Sequence, residues 1–207
     1  LFQSEAVPAM EVTGGCICCH LDDFNDRIND LVAQYDPDVI FAESVGSCTD
    51  LVATVVKPLL DLHKEFDSPT SLSVFTDARL FSRYLNGQEM PFSDGIVYIF
   101  EKQLEESELI IINKIDLLDQ AQRENIISKA AERFAGKRFR VQNSLDGSQV
   151  AGWLDILDSP MIPVPQVSLP DLSYDRYADG EKRFSWVDRR LEISLSNLDQ
   201  QQCLSDC

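Results

Sequence analysis

The sequence has 207 residues, with 35 Asp and Glu against 18 Lys and Arg, a formal charge of −17 and 44% hydrophobic residues. That apolar fraction is enough for a buried core and excludes global disorder, while the acidic excess disfavours broad contact with nucleic acid or anionic membrane, whose phosphates need cationic partners. No segment approaches the roughly 18 to 20 consecutive apolar residues of a membrane span and the first basic residue is Arg27, so the expectation is a soluble cytoplasmic protein without a membrane partner.

The first two-thirds alternate short apolar or β-branched runs with longer amphipathic segments, the pattern of an α/β domain with a mostly parallel sheet. Met10–Thr13 reads as a first strand. Asp22–Tyr35 follows as a helix that sets Phe24, Ile28, Leu31, Val32 and Tyr35 on one face, with Asp22 and Asp23 at its positive end. Asp38–Ala42 reads as a second strand and Cys48–Phe66 as a helix bent at Pro58. Strands are then expected at Ser71–Thr76, Leu109–Ile112 and Arg138–Gln142, with helices at Gly95–Ser107 and Asp119–Phe134, the second closed by Gly136.

Pro160, Pro163, Pro165 and Pro170 then mark a segment unsuited to helix or central strand. The expected organisation is a nucleotide-binding domain over residues 1–157, a Pro-rich linker over 158–172, and the start of a small α+β domain over 173–207, with a strand at Phe184–Leu195. There is no internal repeat and no low-complexity tract.

Asn113-Lys114-Ile115-Asp116 directly follows the apolar run Leu109–Ile112. At the carboxyl edge of an open α/β sheet, the Asp116 carboxylate can accept from both N1–H and the exocyclic amine of guanine, a donor pair that adenine lacks. The plain alternative is a solvated surface turn.

Six cysteines include Cys16, Cys18 and Cys19 within four residues, directly after Gly14-Gly15. Such clustering suits soft-metal chemistry in a reducing compartment, with Zn²⁺, Co²⁺, Ni²⁺ or Cu⁺ as candidates. The Cys-x-Cys-Cys spacing differs from a closed zinc ribbon. It points to a transfer or switch site, whose fourth position falls to His20, a water or an incoming partner. Inert packing and a redox pair at Cys18-Cys19 are the alternatives.

Glu43 ends the Asp38–Ala42 run and leads into Ser44-Val45-Gly46. An acid there holds Mg²⁺ or orients a water, and Gly46 lets backbone N–H approach a phosphate; capping of a helix beginning near Ser47 or Cys48 is the competing explanation. Asp77 and Asn143-Ser144 are weaker candidates for the same ligand edge. His63 reads as a helix-surface residue, and Cys203 with Cys207, four residues apart, as a weak pair.

Taken in order, Gly-Gly-Cys-x-Cys-Cys, Glu-Ser-x-Gly and Asn-Lys-x-Asp-Leu resemble the CobW-like GTP-binding metallochaperones, relatives of the UreG and HypB nickel GTPases, over about residues 10 to 120. The resemblance implies a P-loop GTPase-like fold with GTP and Mg²⁺ as cofactors. It implies Cys16, Cys18 and Cys19 as ligands for Zn²⁺ or for Co²⁺ or Ni²⁺, Glu43 as the catalytic switch residue, and Asn113, Lys114 and Asp116 as the guanine reader. The implied partner is a client metalloprotein or a cobalamin-type cofactor pathway, with a homo-oligomer as a further possibility. The sequence carries no Gly-x-x-x-x-Gly-Lys-Ser/Thr, so the expectation is a domain lacking its first βα unit, inactive as a GTP hydrolase on its own. The alternative function is a metal-binding or regulatory protein without nucleotide hydrolysis.

Overall fold

The computed structural model describes residues 7–63, 70–159, 169 and 171–183. In chain order its elements are α1 (Leu21–Tyr35), a π-helical turn (Val52–Val56) running into α2 (Lys57–Leu62), β1 (Ser73–Asp77), α3 (Ala78–Leu85), α4 (Asp94–Glu106), β2 (Leu109–Asn113), a 3-10 turn (Ile115–Leu117), α5 (Gln120–Arg133), β3 (Arg138–Gln142), α6 (Gly147–Leu157) and α7 (Tyr174–Glu181).

The three strands form one parallel sheet in the order β1-β2-β3. Leu109, Ile110, Ile111 and Ile112 are all buried, so the continuous apolar run becomes the central strand, covered on both faces. Ile110 and Ile112 join Phe81, Leu104, Ile126 and Phe134 in the main core under α3, α4 and α5. Leu109 and Ile111 face the other way, and the register puts Ser73 and Phe75 beside them. There Trp153 of α6 donates from Nε1 to Ser73 Oγ at 3.3 Å and meets Phe75 edge-on at 5.2 Å. The result is a parallel α/β sheet with helices on both faces, as the sequence pattern predicts.

The same register sets Asp77, Asn113 and Gln142 level at the carboxyl edge. Helices that follow the strands leave this edge with well-formed caps, among them α3 and α5. Asp77 accepts from Arg79 N at 2.9 Å to start α3, and Asp119 and Gln122 form a reciprocal capping box on α5.

Two expected strands are not formed. Met10–Thr13 and Asp38–Ala42 run without ladder hydrogen bonds, and Val39, Ile40 and Phe41 are exposed. A β-branched run becomes a strand only when another strand edge satisfies its backbone, and no described strand pairs with either segment. The helix expected over 48–66 is confined to 52–62 in the described residues. Its ladder widens into the π turn just before Pro58, whose missing N–H interrupts α-helical bonding.

Helix α1 matches its expected span, with Phe24, Ile28, Leu31 and Val32 half-buried and Tyr35 exposed. His63 is more than a surface residue, since its Nε2 lies 2.7 Å from Asn25 Oδ1 of α1. Helix α7, just beyond the expected linker, lies against α4 so closely that a Cβ on Gly180 would sit 2.5 Å from Gly95 O. The expected strand at 184–195, most of the linker, and Cys203 and Cys207 lie outside the described residues. Among the described residues no helix is long and apolar enough to cross a membrane.

Candidate functional site

Two groups of residues carry chemistry, and they are built differently. The first sits on the carboxyl edge of the sheet. Asn113 Oδ1 accepts from Lys114 N at 2.9 Å and from Ser144 N at 3.0 Å, which ties the ends of β2 and β3 together. Lys114 adopts a left-handed conformation with φ of 61° and sends Nζ to Asp77 Oδ2 at 3.2 Å. Asp77 also receives Arg79, whose hydrogen bonds hold its carboxyl well below the usual carboxylate range despite partial burial. Asp116 is exposed on the 3-10 turn. Asn113, Lys114, Asp116, Asp77 and Ser144 therefore converge on one edge, an open row of polar groups where open α/β sheets take their ligands.

The second group surrounds the glycine-cysteine turn. Gly14 takes a φ of 93°, and the His20 ring folds back over Gly15, where a Cβ would collide with it. Cys19 N and His20 N both donate to Cys16 O, at 3.0 and 3.1 Å, closing a tight turn before α1. This brings Cys16 Sγ to 2.7 Å from Cys18 Sγ and 3.1 Å from Cys19 Sγ, with Cys18 and Cys19 4.0 Å apart. Among the described residues these three are the group of His, Cys, Asp and Glu side chains that comes together closely enough to share one ion.

Their acidities are interdependent. Burial opposes ionisation of Cys16, yet hydrogen bonds from Cys18 and Cys19 outweigh it and lower its pKa. Burial, and then the Cys16 thiol, push Cys18 up. Hydrogen bonding to Cys16 raises Cys19. Cys16 is thus the most readily ionised of the three and Cys18 and Cys19 the more resistant, so a cation that replaces thiol protons fits this donor set.

The loop after Glu43 lies against this turn. Ser47, Cys48, Thr49 and Asp50 are all buried. Cys48 Sγ comes 3.8 Å from Cys18 Sγ, and burial together with the Cys16 charge pushes the Cys48 thiol up to about 12. Gln103 of α4 clamps the loop by donating to Gly46 O at 2.9 Å and Cys48 O at 2.8 Å. Glu106, fully buried, accepts from Val52 N at 2.5 Å and caps the π turn; burial raises its pKa although backbone N–H groups oppose that. From the other side, Glu181 of α7 accepts from Ser47 Oγ at 3.3 Å, and Tyr174 OH donates to Asp50 Oδ2 at 3.3 Å. A shallow depression of about 370 Å³ lined by Gly15, Cys16, Val45, Ser47 and Glu181 separates the turn, the loop and α7.

The family model described as CobW/HypB/UreG, nucleotide-binding domain, matches residues 1–140. The chain belongs to this family. No curated protein and no solved structure matches it. Within the CobW/HypB/UreG match lie the thiol cluster, the Glu43 loop and the Asn113–Asp116 edge, and the parallel sheet with flanking helices agrees with a P-loop GTPase-like fold.

Not every expected site residue is brought together. Glu43 is exposed on an irregular segment and makes no hydrogen bond or ion pair among the described residues. Gly46 offers its carbonyl to Gln103, and no described hydrogen bond or ion pair joins it to the Asn113–Asp116 edge. For Mg²⁺ the chain supplies Glu43 without the hydroxyl-bearing phosphate loop expected beside it, so these residues do not by themselves make a Mg²⁺ site. Sequence reasoning missed Gln103 and Glu106, which look like ordinary members of the polar run Glu101–Glu108, and Glu181, which becomes relevant only because α7 folds back.

Proposed function

We propose that this chain forms the metal-binding and guanine-reading part of a cytoplasmic GTP-dependent metallochaperone. Cys16, Cys18 and Cys19 take a thiophilic divalent ion as cargo, with Zn²⁺ favoured by softness and Co²⁺ or Ni²⁺ as relatives of similar demand. Asn113 organises the base-binding edge, Lys114 stands beside it tied to Asp77 as part of the guanine reader, and Asp116 reads guanine through its two donors. Glu43 serves as the switch residue that orients the hydrolytic water, and Gly46 admits the terminal phosphate. GTP binding and hydrolysis then govern release of the ion to a client metalloprotein or to a cobalamin-type cofactor pathway.

The observation that supports this most strongly is the three-thiol cluster within 4.0 Å in a chain of the CobW/HypB/UreG nucleotide-binding family. Bound metal supplies the charge that keeps all three sulfurs ionised at neutral pH. Titration with Co²⁺ is the test: intense thiolate-to-cobalt absorbance is expected for the full chain, with affinity lowered at least roughly a thousandfold in the Cys16→Ser/Cys18→Ser/Cys19→Ser variant. Unchanged absorbance in that variant would sink the assignment. Separately, the 207 residues are expected to hydrolyse GTP negligibly while still preferring guanine to adenine nucleotides. A metal-binding regulator without nucleotide chemistry would show no such preference.

A further inference from the structure

We infer that Cys48 is the fourth thiolate of the metal site, so that the ion bridges the cysteine turn and the loop that follows Glu43. The inference rests on the metal-binding reading above and concerns how that site is completed. Cys48 is 2% exposed, and its Sγ faces Cys18 Sγ at 3.8 Å across a separation of 30 residues. In a tetrahedral site with Zn–S bonds of about 2.3 Å, neighbouring sulfurs stand roughly 3.8 Å apart. The Cys18–Cys48 separation has that length, and Cys18–Cys19, at 4.0 Å, is close to it. Centring an ion would spread the two shorter Cys16 contacts to the same edge.

The candidates on the turn itself do not complete the shell. The His20 ring lies back over Gly14 and Gly15, whereas Cys48, although like His20 outside the trio whose ligand atoms all lie within 4.8 Å of one another, has its Sγ in contact with Cys18 Sγ at 3.8 Å. Cys48 is also held in place: its N–H donates to Val45 O at 3.0 Å, and Gln103 Nε2 donates to its carbonyl at 2.8 Å. Ligation by Cys48 would pin the loop bearing Glu43 and Gly46 to the metal. That loop could not then shift without altering the metal's shell, and departure of the ion would remove one of the loop's ties, leaving those from Gln103 and Glu181. Each ligating thiol gives its proton to solvent as the metal–sulfur bond forms.

The deciding experiment uses the full chain with Cys203→Ser and Cys207→Ser, which leaves Cys16, Cys18, Cys19 and Cys48 as its cysteines. Zinc X-ray absorption on the monomeric one-to-one complex is expected to count four sulfur ligands. Three sulfurs plus one nitrogen or oxygen would overturn the role of Cys48 and leave the three-thiol site standing. No sulfur in the shell would overturn both. Adding Cys48→Ser should lower the count to three and weaken Zn²⁺ binding at least about tenfold in competition with a chromophoric chelator; an unchanged count and affinity would count against the inference. The sulfur count in the chain retaining Cys48 decides the matter even if Cys48→Ser fails to fold.

Discussion

The carboxyl edge of the sheet and the cysteine turn place functional groups by opposite means. At the edge, backbone ladders do the work: Asp77, Asn113 and Gln142 stand level because three parallel strands are in register. Around the turn there is no ladder. The three thiols are gathered by a tight backbone turn closed on Cys16 O, and the loop beside them is held by a few side-chain bonds from Gln103, Glu106 and Glu181, each from a helix distant in sequence. A site built on strands is rigid and reads a fixed shape, whereas one held by a few side-chain ties can be released by breaking one of them. Under the function proposed above, the second construction suits a cargo that is captured and surrendered, and the first suits a nucleotide.

The largest expected effect that separates the two regions comes from Glu106→Ala. It strips the buried cap from the π turn and leaves backbone donors unpaired, so urea unfolding should show a loss of about 3 kcal/mol, with Glu106→Gln milder because an acceptor remains. Loosening should concentrate in residues 44–56 by hydrogen exchange and spare the strands; uniform loosening would break the comparison.

Asp116→Ala probes the other region. Losing a charged acceptor for two donors should reduce guanine affinity by about 2 kcal/mol, roughly thirtyfold, in a competition of fluorescent GTP and ATP analogues, with Co²⁺ binding unchanged. Equal loss for both nucleotides would show that Asp116 does not read the base.

Gly180→Ala sharpens the contrast from the α7 side. A Cβ there would press on Gly95 O; overpacking of about 1–3 kcal/mol is partly offset by the roughly 1 kcal/mol gain in helix propensity. A net loss of about 1 kcal/mol in thermal unfolding is expected, with faster proteolysis near α7. Unaltered stability and proteolysis would mean that the close approach is dispensable.

The smallest effect is one of pH. Because the folded pKa of Asp77 is depressed by Arg79 and Lys114, its contribution is present above the unfolded value near 4 and is lost as pH falls through the folded one. Both basic partners are largely exposed, so the contribution is on the order of 1 kcal/mol or less. Comparing chemical denaturation of the wild type and Asp77→Asn between pH 5 and pH 2 should isolate it; identical slopes would remove Asp77 as the cause.

The contrast also governs what could be read from the sequence. Leu109–Ile112 followed by Asn113–Asp116 is contiguous, so its hydrophobicity located the central strand and its end located the polar edge. The three clustered cysteines were legible for the same reason. Cys48 was not: 30 residues separate it from Cys18, and a lone cysteine in a polar stretch carries no mark of its neighbour. Glu106 lies in a run of acids in which nothing local distinguishes the buried one from the solvated ones. Asp38–Ala42 failed differently. Its residues favour a strand, but pairing is a property of two segments, and β propensity reports on one.

Trp153 gives the fold a built-in optical probe. Its indole lies 5.7 Å from Phe41, two residues before Glu43, and 5.2 Å from Phe75 on β1. One ring thus straddles the ordered sheet and the irregular segment leading into the loop. With Trp186, the second tryptophan, replaced by Phe, the chain's indole emission would arise from this one junction. Displacement of the Glu43 segment on metal or nucleotide addition would then register as a colour and anisotropy change, in real time and without an attached dye.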